Sequence, residues 1–485
     1  MVPDGAQRAL RSFTLTTSPL LTDGRAANPT QRRNVPFMKL SYRSSLLSAF
    51  LLASLLATPL HAQDWVRIGS NLGNARIRLA SADFKPVGND PQTPVLKTVF
   101  DSTLYNDLGN AGIFDLVSKS FAPQAQPGSP QEINLQQWSA APTSAAMVAF
   151  GALSVTNGRL VVYGWLFDTS NPANPQVLGK QYNEAATQDM ARTVAHEFAD
   201  AIIERLGGGV NGIAETKIYF VSSRTGSKQI WAMDYDGENQ HPVTHLGSIS
   251  ISPRISPDNS RLAFASLGRD GWSIRMYSIE LGRMVRFPAG SGGSLNQSPA
   301  WSTDGNRIAF SSSRSGDPEI WVADSDGGNL HRITYFRGPD VSPTWNPKTD
   351  AQIAWVSGRT GLPQIYIMDQ DGSNVHRMTD GGYAVSPSWS PNGQFLTFSW
   401  NRKYGPGVPG GQDIYVMDIA TLRWSQLTHG EGNNDFPSWS PDGRHIVFQR
   451  QIGGKTEIWS MLADGTQQHQ LTHEGNNQMP NWSWK

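Results

Sequence analysis

In this chain of 485 residues, few segments resemble a catalytic or metal-binding motif. The segment HEFAD begins at His196, but Asp200 stands where the helix of a zinc protease needs its second histidine one turn later. A hydrolase of the serine type needs a G-x-S-x-G turn, and no such pentapeptide occurs. Cysteine is absent, which excludes disulfides, thiolate nucleophiles and cysteine zinc ligands. We therefore expect no catalytic residue, no metal and no cofactor.

The tetrapeptides DYDG, DSDG and DQDG resemble fragments of a calcium loop. An EF-hand also needs a glutamate at its twelfth position and flanking helices. Asp-Gly pairs between short apolar runs are typical of hairpin turns. We interpret these tetrapeptides as turns.

Past residue 212 the sequence is periodic, with one position recurring every 43 to 50 residues. That position holds Ile255, Trp301, Trp345, Trp389, Trp439 and Trp482. Each unit contains four short apolar runs, for example PAWS, RIAFSSS, EIWVAD and LHRIT, separated by turn sequences. Four-stranded units repeated at this period form the blades of a propeller. The sequence predicts a mainly β protein with a six-bladed β-propeller at residues 213–485.

The first unit lacks its innermost strand, and the chain ends on that strand alone, in MPNWSWK at residues 479–485. We therefore expect this segment to complete blade one and close the ring. One repeat position holds His245, His429 and His473 in the outermost strands of blades one, five and six. Blades about 60° apart should keep these imidazoles too far from each other to share an ion.

Residues 63–212 contain no repeat and predict a small α/β domain. A helix is expected from Thr93 as its cap, through Pro94 in its first turn, to a stop at Gly109. Two strands are joined by a hairpin turn at Asn157-Gly158. A closing helix presents Met190, Val194, Phe198, Ile202 and Leu206 on one face, with His196 expected on its polar face.

Residues 38–62 have the organisation of a secretory signal peptide. Lys39 and Arg43 precede an apolar stretch at 46–57, and Ala62 occupies the expected cleavage position. The stretch is too short to span a membrane. We expect Met38 to be the initiator and residues 1–37 to be a disordered upstream extension included in error. The formal net charge of zero gives no electrostatic support for a nucleic-acid or anionic-membrane partner.

The signal peptide, the cysteine-free α/β domain and the repeat SPxWSPDG…IAF…SRxG…EIW…DxDG…R[IM]T together resemble the TolB family of the bacterial Tol–Pal envelope system. The resemblance covers Asp64 to Lys485. It implies a monomeric, non-enzymatic periplasmic protein that binds the peptidoglycan-associated lipoprotein Pal and the inner-membrane protein TolA. It further implies a role in outer-membrane integrity and in constriction at division, and a route that bacteriocins exploit. The alternatives are a propeller that binds another envelope protein, or a hydrolase relative without its catalytic domain.

The resemblance also implies where partners bind. TolA would engage the mature N-terminus by strand addition, and the candidates are Asp64, Trp65, Val66, Arg67 and Ile68. This segment could instead be merely the first strand of its domain. Pal would bind the propeller face that carries the crossings between blades, whose loops vary in sequence. The candidates there are Leu295, Asn296, Ser298, Asp340, Val341, Tyr383, Asn434 and Asp435, unless each only satisfies its own turn.

Overall fold

The computed structural model describes Val66 and residues 75–290, 293–403 and 411–484. The expectations for residues 1–37 and for the signal peptide at 38–62 lie outside these ranges. Within them, no helix is both long enough and apolar enough to cross a membrane.

A mixed six-stranded sheet forms the centre of the N-terminal α/β region. Its strands are β1 Ile77–Ser81, β2 Lys85–Val87, β3 Phe114–Leu116, β4 Met147–Thr156, β5 Arg159–Asp168 and β6 Gln176–Ala185. The path is β3-β1-β4-β5-β6, and β2 pairs with β4. The parallel part is β3-β1-β4, and β4, β5 and β6 form an antiparallel meander. The hairpin predicted at Asn157-Gly158 is confirmed, since both residues have positive φ, 52° and 72°, as a type I′ turn requires.

Two long helices contribute to the hydrophobic core of this sheet. The helices of the region are α1 Thr93–Asn110, α2 Leu135–Ser139 and α3 Gln188–Leu206. Phe100 and Leu104 of α1 and Phe198 of α3 are fully buried in one cluster with the sheet. The prediction that Thr93 caps α1 is wrong: Thr93 lies inside the helix, and its hydroxyl accepts from the backbone N–H of Val155 at 3.2 Å.

The remaining strands form six four-stranded antiparallel sheets, so the six-bladed propeller is confirmed. Blade one contains β7 Lys217–Ser222, β8 Gln229–Asp234 and β9 His241–Pro242. Blade two contains β10 Ser250–Ile255, β11 Arg261–Gly268, β12 Gly271–Ser278 and β13 Arg283–Val285, and a 3-10 turn at Pro288–Gly290 follows it. Blade three contains β14 Asn296–Trp301, β15 Arg307–Ser315, β16 Asp317–Asp324 and β17 His331–Arg332.

The last three blades repeat this order. Blade four contains β18 Asp340–Trp345, β19 Gln352–Ser357, β20 Gln364–Asp369 and β21 His376–Arg377. Blade five contains β22 Tyr383–Trp389, β23 Phe395–Asn401, β24 Asp413–Asp418 and β25 Trp424–Gln426. Blade six contains β26 Asn433–Trp439, β27 His445–Ile452, β28 Lys455–Leu462 and β29 His469–Gln470.

The final strand, β30 Asn477–Trp482, closes the ring as the sequence predicts. It pairs with β7, placing Trp482 opposite Ile218, and becomes the innermost strand of blade one. The indole Nε1 of Trp482 donates to the hydroxyl of Thr216 at 2.8 Å. Blade one therefore joins residues from both ends of the propeller segment.

Every innermost strand contains a β-bulge, where its register to the second strand shifts. The residue before the proline has a φ between 52° and 54° in all six blades. These residues are Ser252, Ser298, Ser342, Ser386, Phe436 and Met479. A bulge bends its strand and increases the local twist. The six residues line a narrow cavity of about 20 Å³ in the central channel.

The Asp-Gly turns between third and fourth strands have the predicted hairpin geometry. Gly237, Gly327 and Gly372 have φ between 88° and 94°. Each donates its backbone N–H to the carbonyl three residues earlier, at 2.8 to 3.0 Å. A side chain would be strained at such φ values, which explains the glycine. The interpretation of these tetrapeptides as turns is confirmed.

Candidate protein-binding face of the propeller

The antiparallel order of each blade gives the propeller two different faces. The turns from first to second and from third to fourth strand lie on one face, which we name the turn face. The loops from second to third strand and the connections between blades lie on the other, which we name the crossing face. All eight propeller residues predicted to contact a partner belong to the crossing face, at or near the start of an innermost strand.

The α/β region is joined to the turn face by buried polar contacts. Tyr235, in the turn between β8 and β9, donates its hydroxyl proton to Oδ1 of Asp107 in α1 at 2.6 Å. The imidazole Nε2 of His445, at the start of β27, lies 2.7 Å from the carbonyl oxygen of Asn110. Arg192 of α3 pairs with Asp236 at 2.7 Å. The crossing face lies on the opposite side of the ring from these contacts.

The expectation that His196 occupies the polar face of its helix is wrong. His196 is buried, and its Nδ1 lies 2.8 Å from Oδ2 of Asp107. Burial alone would lower the pKa of His196, but the hydrogen bond and charge of Asp107 outweigh it and raise that pKa above the ordinary value. The pKa of Asp107 is also raised, in this case because burial disfavours the charged carboxylate. The pair links the two long helices.

Three of the predicted contact residues are buried anchors inside their blades. Asn296, Asp340 and Asn434 are at most 1% exposed. Each accepts a hydrogen bond from an arginine that follows or ends the second strand of its own blade, and these arginines are Arg314 at 3.0 Å, Arg359 at 3.0 Å and Arg450 at 2.7 Å. Each guanidinium also stacks over aromatic rings of the second and third strands. The side chains of these three residues are occupied within the fold, and their contact with a partner stays a prediction.

A fourth residue of the set, Asp435, also has its carboxylate inside the protein. Its Oδ1 accepts from the backbone N–H of Phe436 at 2.7 Å. Burial raises the pKa of Asp435, and hydrogen bonds from Ser399 and Ser386 offset part of that increase. Asp435 is therefore better suited to hold the start of β26 in place than to attract a cationic partner.

The other four predicted residues reach the surface of the crossing face. Leu295 is 40% exposed and lies just before β14. Ser298 is half-buried at its bulge and lines the channel. Val341 and Tyr383 are half-buried, in β18 and at the start of β22. These residues come from blades three, four and five, so the fold brings them to one side of the ring.

The sequence analysis missed two prominent aromatic residues on this face. Tyr335 and Phe336, in the crossing from blade three to blade four, are 74% and 50% exposed. The guanidinium of Arg332 lies 4.6 Å from the ring centre of Tyr335, and that of Arg359 lies 4.9 Å from Phe336. Two adjacent aromatic residues in a crossing loop were the available signal, because exposed aromatic side chains are typical of binding surfaces.

The N-terminal candidates are almost entirely outside the described residues. Asp64, Trp65, Arg67 and Ile68 lie outside them, and Val66 lies within. Val66 has helical backbone, so the strand prediction is wrong at this residue. Its side chain is fully buried in a propeller cluster that includes Trp439 and Leu462.

The described residues contain no group of three or more His, Cys, Asp or Glu side chains that could hold a metal ion. His245, His429 and His473 are exposed, and each lies three residues after the last residue of its outermost strand. Residues 404–410 of the long loop in blade five lie outside the described ranges.

These features define a class of protein in which a closed six-bladed propeller is attached by its turn face to a small α/β region. A family model described as the TolB beta propeller domain matches residues 203–483. The chain belongs to this TolB propeller family.

Several relatives support this assignment. A "Protein TolB homolog" from Chlorobium chlorochromatii is 34% identical over 202 residues, which are 42% of this chain and 44% of the relative. Another "Protein TolB homolog", from Chlorobium luteolum, is 30% identical over 272 residues, which are 56% of this chain and 60% of the relative. A "Tol-Pal system protein TolB" from Actinobacillus pleuropneumoniae is 35% identical over 179 residues, which are 36% of this chain and 40% of the relative. The matched part of the chain thus spans about half the length of these curated relatives.

A solved structure gives the same fold over a longer range. The crystal structure of TolB from Acinetobacter baumannii covers 85% of this chain, and this chain covers 98% of it, with a TM-score of 0.71. At 23% identity the likeness concerns the fold.

Proposed function

We propose that this protein is a periplasmic, non-enzymatic component of a Tol–Pal system and that its crossing face binds a Pal-like lipoprotein. The observation that carries the proposal is the set of exposed apolar side chains on that face. Leu295, Tyr335 and Phe336 are 40% to 74% exposed there. Exposed aromatic side chains on a rigid scaffold favour protein recognition. The opposite face is the one attached to the α/β region through Tyr235 and His445.

The second proposed partner is a TolA-like inner-membrane protein, recognised by residues 64–68. The similarity to the "Tol-Pal system protein TolB" of Actinobacillus pleuropneumoniae supports membership of the same system. With a signal peptide at 38–62, the chain would act in the periplasm as a monomer. Through the two partners it would support outer-membrane integrity and constriction at division.

Charge introduced at matched apolar positions tests the assignment of the face. Leu295→Glu on the crossing face should weaken capture of the purified lipoprotein at least tenfold, because a charge would be desolvated at the interface. Val375→Glu is the matched control, since Val375 is 41% exposed on the turn face while Leu295 is 40% exposed. Charged replacements at Ser298 and Val341 should act like Leu295→Glu, and those at Ser325 and Gln370 like the control. Stronger loss with the turn-face variants would reverse the assignment, and no capture by the wild type would refute the proposed lipoprotein partner.

Deletion of residues 64–68 tests the N-terminal site. It should abolish capture of a TolA-like domain while lipoprotein binding is retained. Because Val66 is fully buried, the deletion should also lower the melting temperature. Leu462→Ala, in the buried cluster that contains Val66, is therefore the control: it should lower the melting temperature while TolA capture stays within twofold. Unchanged capture by the deletion variant would contradict this site.

A further inference from the structure

The central channel of the propeller contains one residue that departs from the pattern of its neighbours. The position directly after the proline of each innermost strand faces the same cavity in all six blades. Five blades place neutral residues there: Ala300, Thr344, Ser388, Ser438 and Asn481. Blade two places Arg254 there, in the sequence SPRI.

Arg254 is the only charged side chain among the residues that line this cavity or the narrower one beside it. The larger cavity has a volume of about 100 Å³ and walls formed largely by proline and tryptophan. The smaller cavity is lined by the bulge residues and their prolines. No aspartate or glutamate lines either one, so the channel offers this cation no fixed counter-charge.

The backbone of Arg254 is held firmly on both sides. Its carbonyl oxygen accepts from the indole Nε1 of Trp301 at 3.0 Å. The next residue, Ile255, donates its N–H to Oδ1 of Asn481 at 2.9 Å. These bonds to the neighbouring blades fix the root of the side chain relative to the channel, so the guanidinium starts from a defined position.

Most of the hydrogen-bonding capacity of this guanidinium is unused. Nη1 donates to the carbonyl oxygen of Pro253 at 2.8 Å, and the side chain makes no ion pair among the described residues. A guanidinium has five N–H donors, so several of them have no protein acceptor among the described residues. Burial lowers the pKa of Arg254 to about 10, which leaves it cationic at pH 7. An enclosed cation without a partner is unfavourable, and an entering anion would relieve that cost.

We propose that the propeller channel binds a small monovalent carboxylate, of the size of acetate, at Arg254. The planar guanidinium fork matches the two oxygens of a carboxylate. Thr344 and Ser388 supply hydroxyl groups on the wall of the same cavity. One positive charge between neutral walls balances one negative charge, whereas a dianion such as sulfate would keep an unpaired charge inside. A cavity of about 100 Å³ has room for a few heavy atoms and excludes larger acids.

The proposal is tested by fluorine NMR with trifluoroacetate as the probe and the purified chain at constant ionic strength. The wild type should broaden the probe signal in a saturable way, acetate should reverse the broadening, and sulfate should do so at least tenfold less well. Arg254→Thr installs a residue that blade four already carries at this position, and it should lower the affinity at least tenfold. Equal saturable broadening by this variant would overturn the proposal.

A relocated charge separates binding from any loss of fold. In the double variant Arg254→Thr/Thr344→Arg, the guanidinium enters the same cavity from blade four. Its affinity for trifluoroacetate should recover to within about fivefold of the wild-type affinity. Its circular dichroism spectrum should match that of the wild type. Failure of this folded double variant to bind the probe, together with unchanged binding by Arg254→Lys, would show that the guanidinium fork is not the recognition element. The test needs neither proposed protein partner and is independent of the proposed function.

Discussion

The hydroxyl of Tyr235 in the propeller donates a 2.6 Å hydrogen bond to the buried carboxylate of Asp107 in the first helix of the α/β region. The same carboxylate accepts from His196 of the last helix through its other oxygen. Three segments distant in the sequence therefore meet at one carboxyl group.

Removing this hydroxyl should weaken the attachment of the two regions. Tyr235→Phe should lower the free energy of unfolding by about 1–3 kcal/mol, because the buried carboxylate loses one donor. Tyr219→Phe is the control, since Tyr219 is equally buried at 6% exposure, against 5% for Tyr235, and makes no hydroxyl hydrogen bond among the described residues. Urea unfolding measures the free energy of unfolding of both variants. Equal effects of the two substitutions would contradict a specific role for the contact.

The pair of His196 and Asp107 should make stability depend on pH. Both groups have folded-state pKa values raised above those of the unfolded chain, so the folded protein binds protons more tightly. Their contribution is present at low pH, and the part due to His196 is lost as pH rises above about 6.5. We expect a decline on the order of 1 kcal/mol between pH 6 and pH 8.

The double variant His196→Gln/Asp107→Asn removes both titrating groups and keeps a polar pair. The difference in unfolding free energy between the wild type and this variant should shrink from pH 6 to pH 8. The neighbours Arg192, Tyr235 and Asp236 remain in both proteins and cancel in the comparison. Stability curves that run parallel across this range would show that the pair does not titrate.

The stacked arginines should be sensitive to a change of shape at constant charge. Arg359 pairs with the buried Asp340 at 3.0 Å and lies 4.8 Å from the ring centre of Tyr366. Arg359→Lys should cost about 1–2 kcal/mol, because lysine loses the planar fork and the stacking. Arg377→Lys should cost nearly nothing, since its partner Asp380 is exposed. Thermal denaturation of both variants checks this, and an equal loss would argue against the stacking.

Removing the closing strand should prevent the propeller from folding cooperatively. Deletion of residues 479–485 removes four of the six residues of β30 and exposes most of the edge of β7. We expect loss of the cooperative melt and aggregation in light scattering. The milder variant Trp482→Ala keeps the strand but should cost about 3–5 kcal/mol. A deletion variant that retains a wild-type melt would contradict this role of the strand.

The periodic and local features of this fold could be predicted from the sequence. The tryptophan repeat gave the number of blades, and Asn157-Gly158 gave a hairpin, because the signals are contained in a few neighbouring residues. The isolated final strand also indicated closure. Thr93 was misjudged because it precedes Pro94 as a cap would, whereas its hydroxyl is used by Val155 in the sheet.

Features that depend on distant partners could not be predicted in this way. His196 can be buried because Asp107, 89 residues earlier, accepts a hydrogen bond from its Nδ1. Asn296 looked like a loop residue, but Arg314 and Ser312 of the next strand occupy its side chain. Arg254 could not be singled out in this way, because only the fold shows that its position lines one cavity in all six blades.

The pairing of β30 with β7 also has a consequence for the order of folding. Trp482 and Thr216 contact each other across 266 residues of chain. Hairpins within each blade close short loops, whereas this contact must wait until nearly the whole propeller segment has been made. A growing chain would therefore hold a partly built ring with one unpaired strand until β30 has been synthesised. The rate at which the last strand finds β7 should set the interval in which the new chain is most open to misassembly.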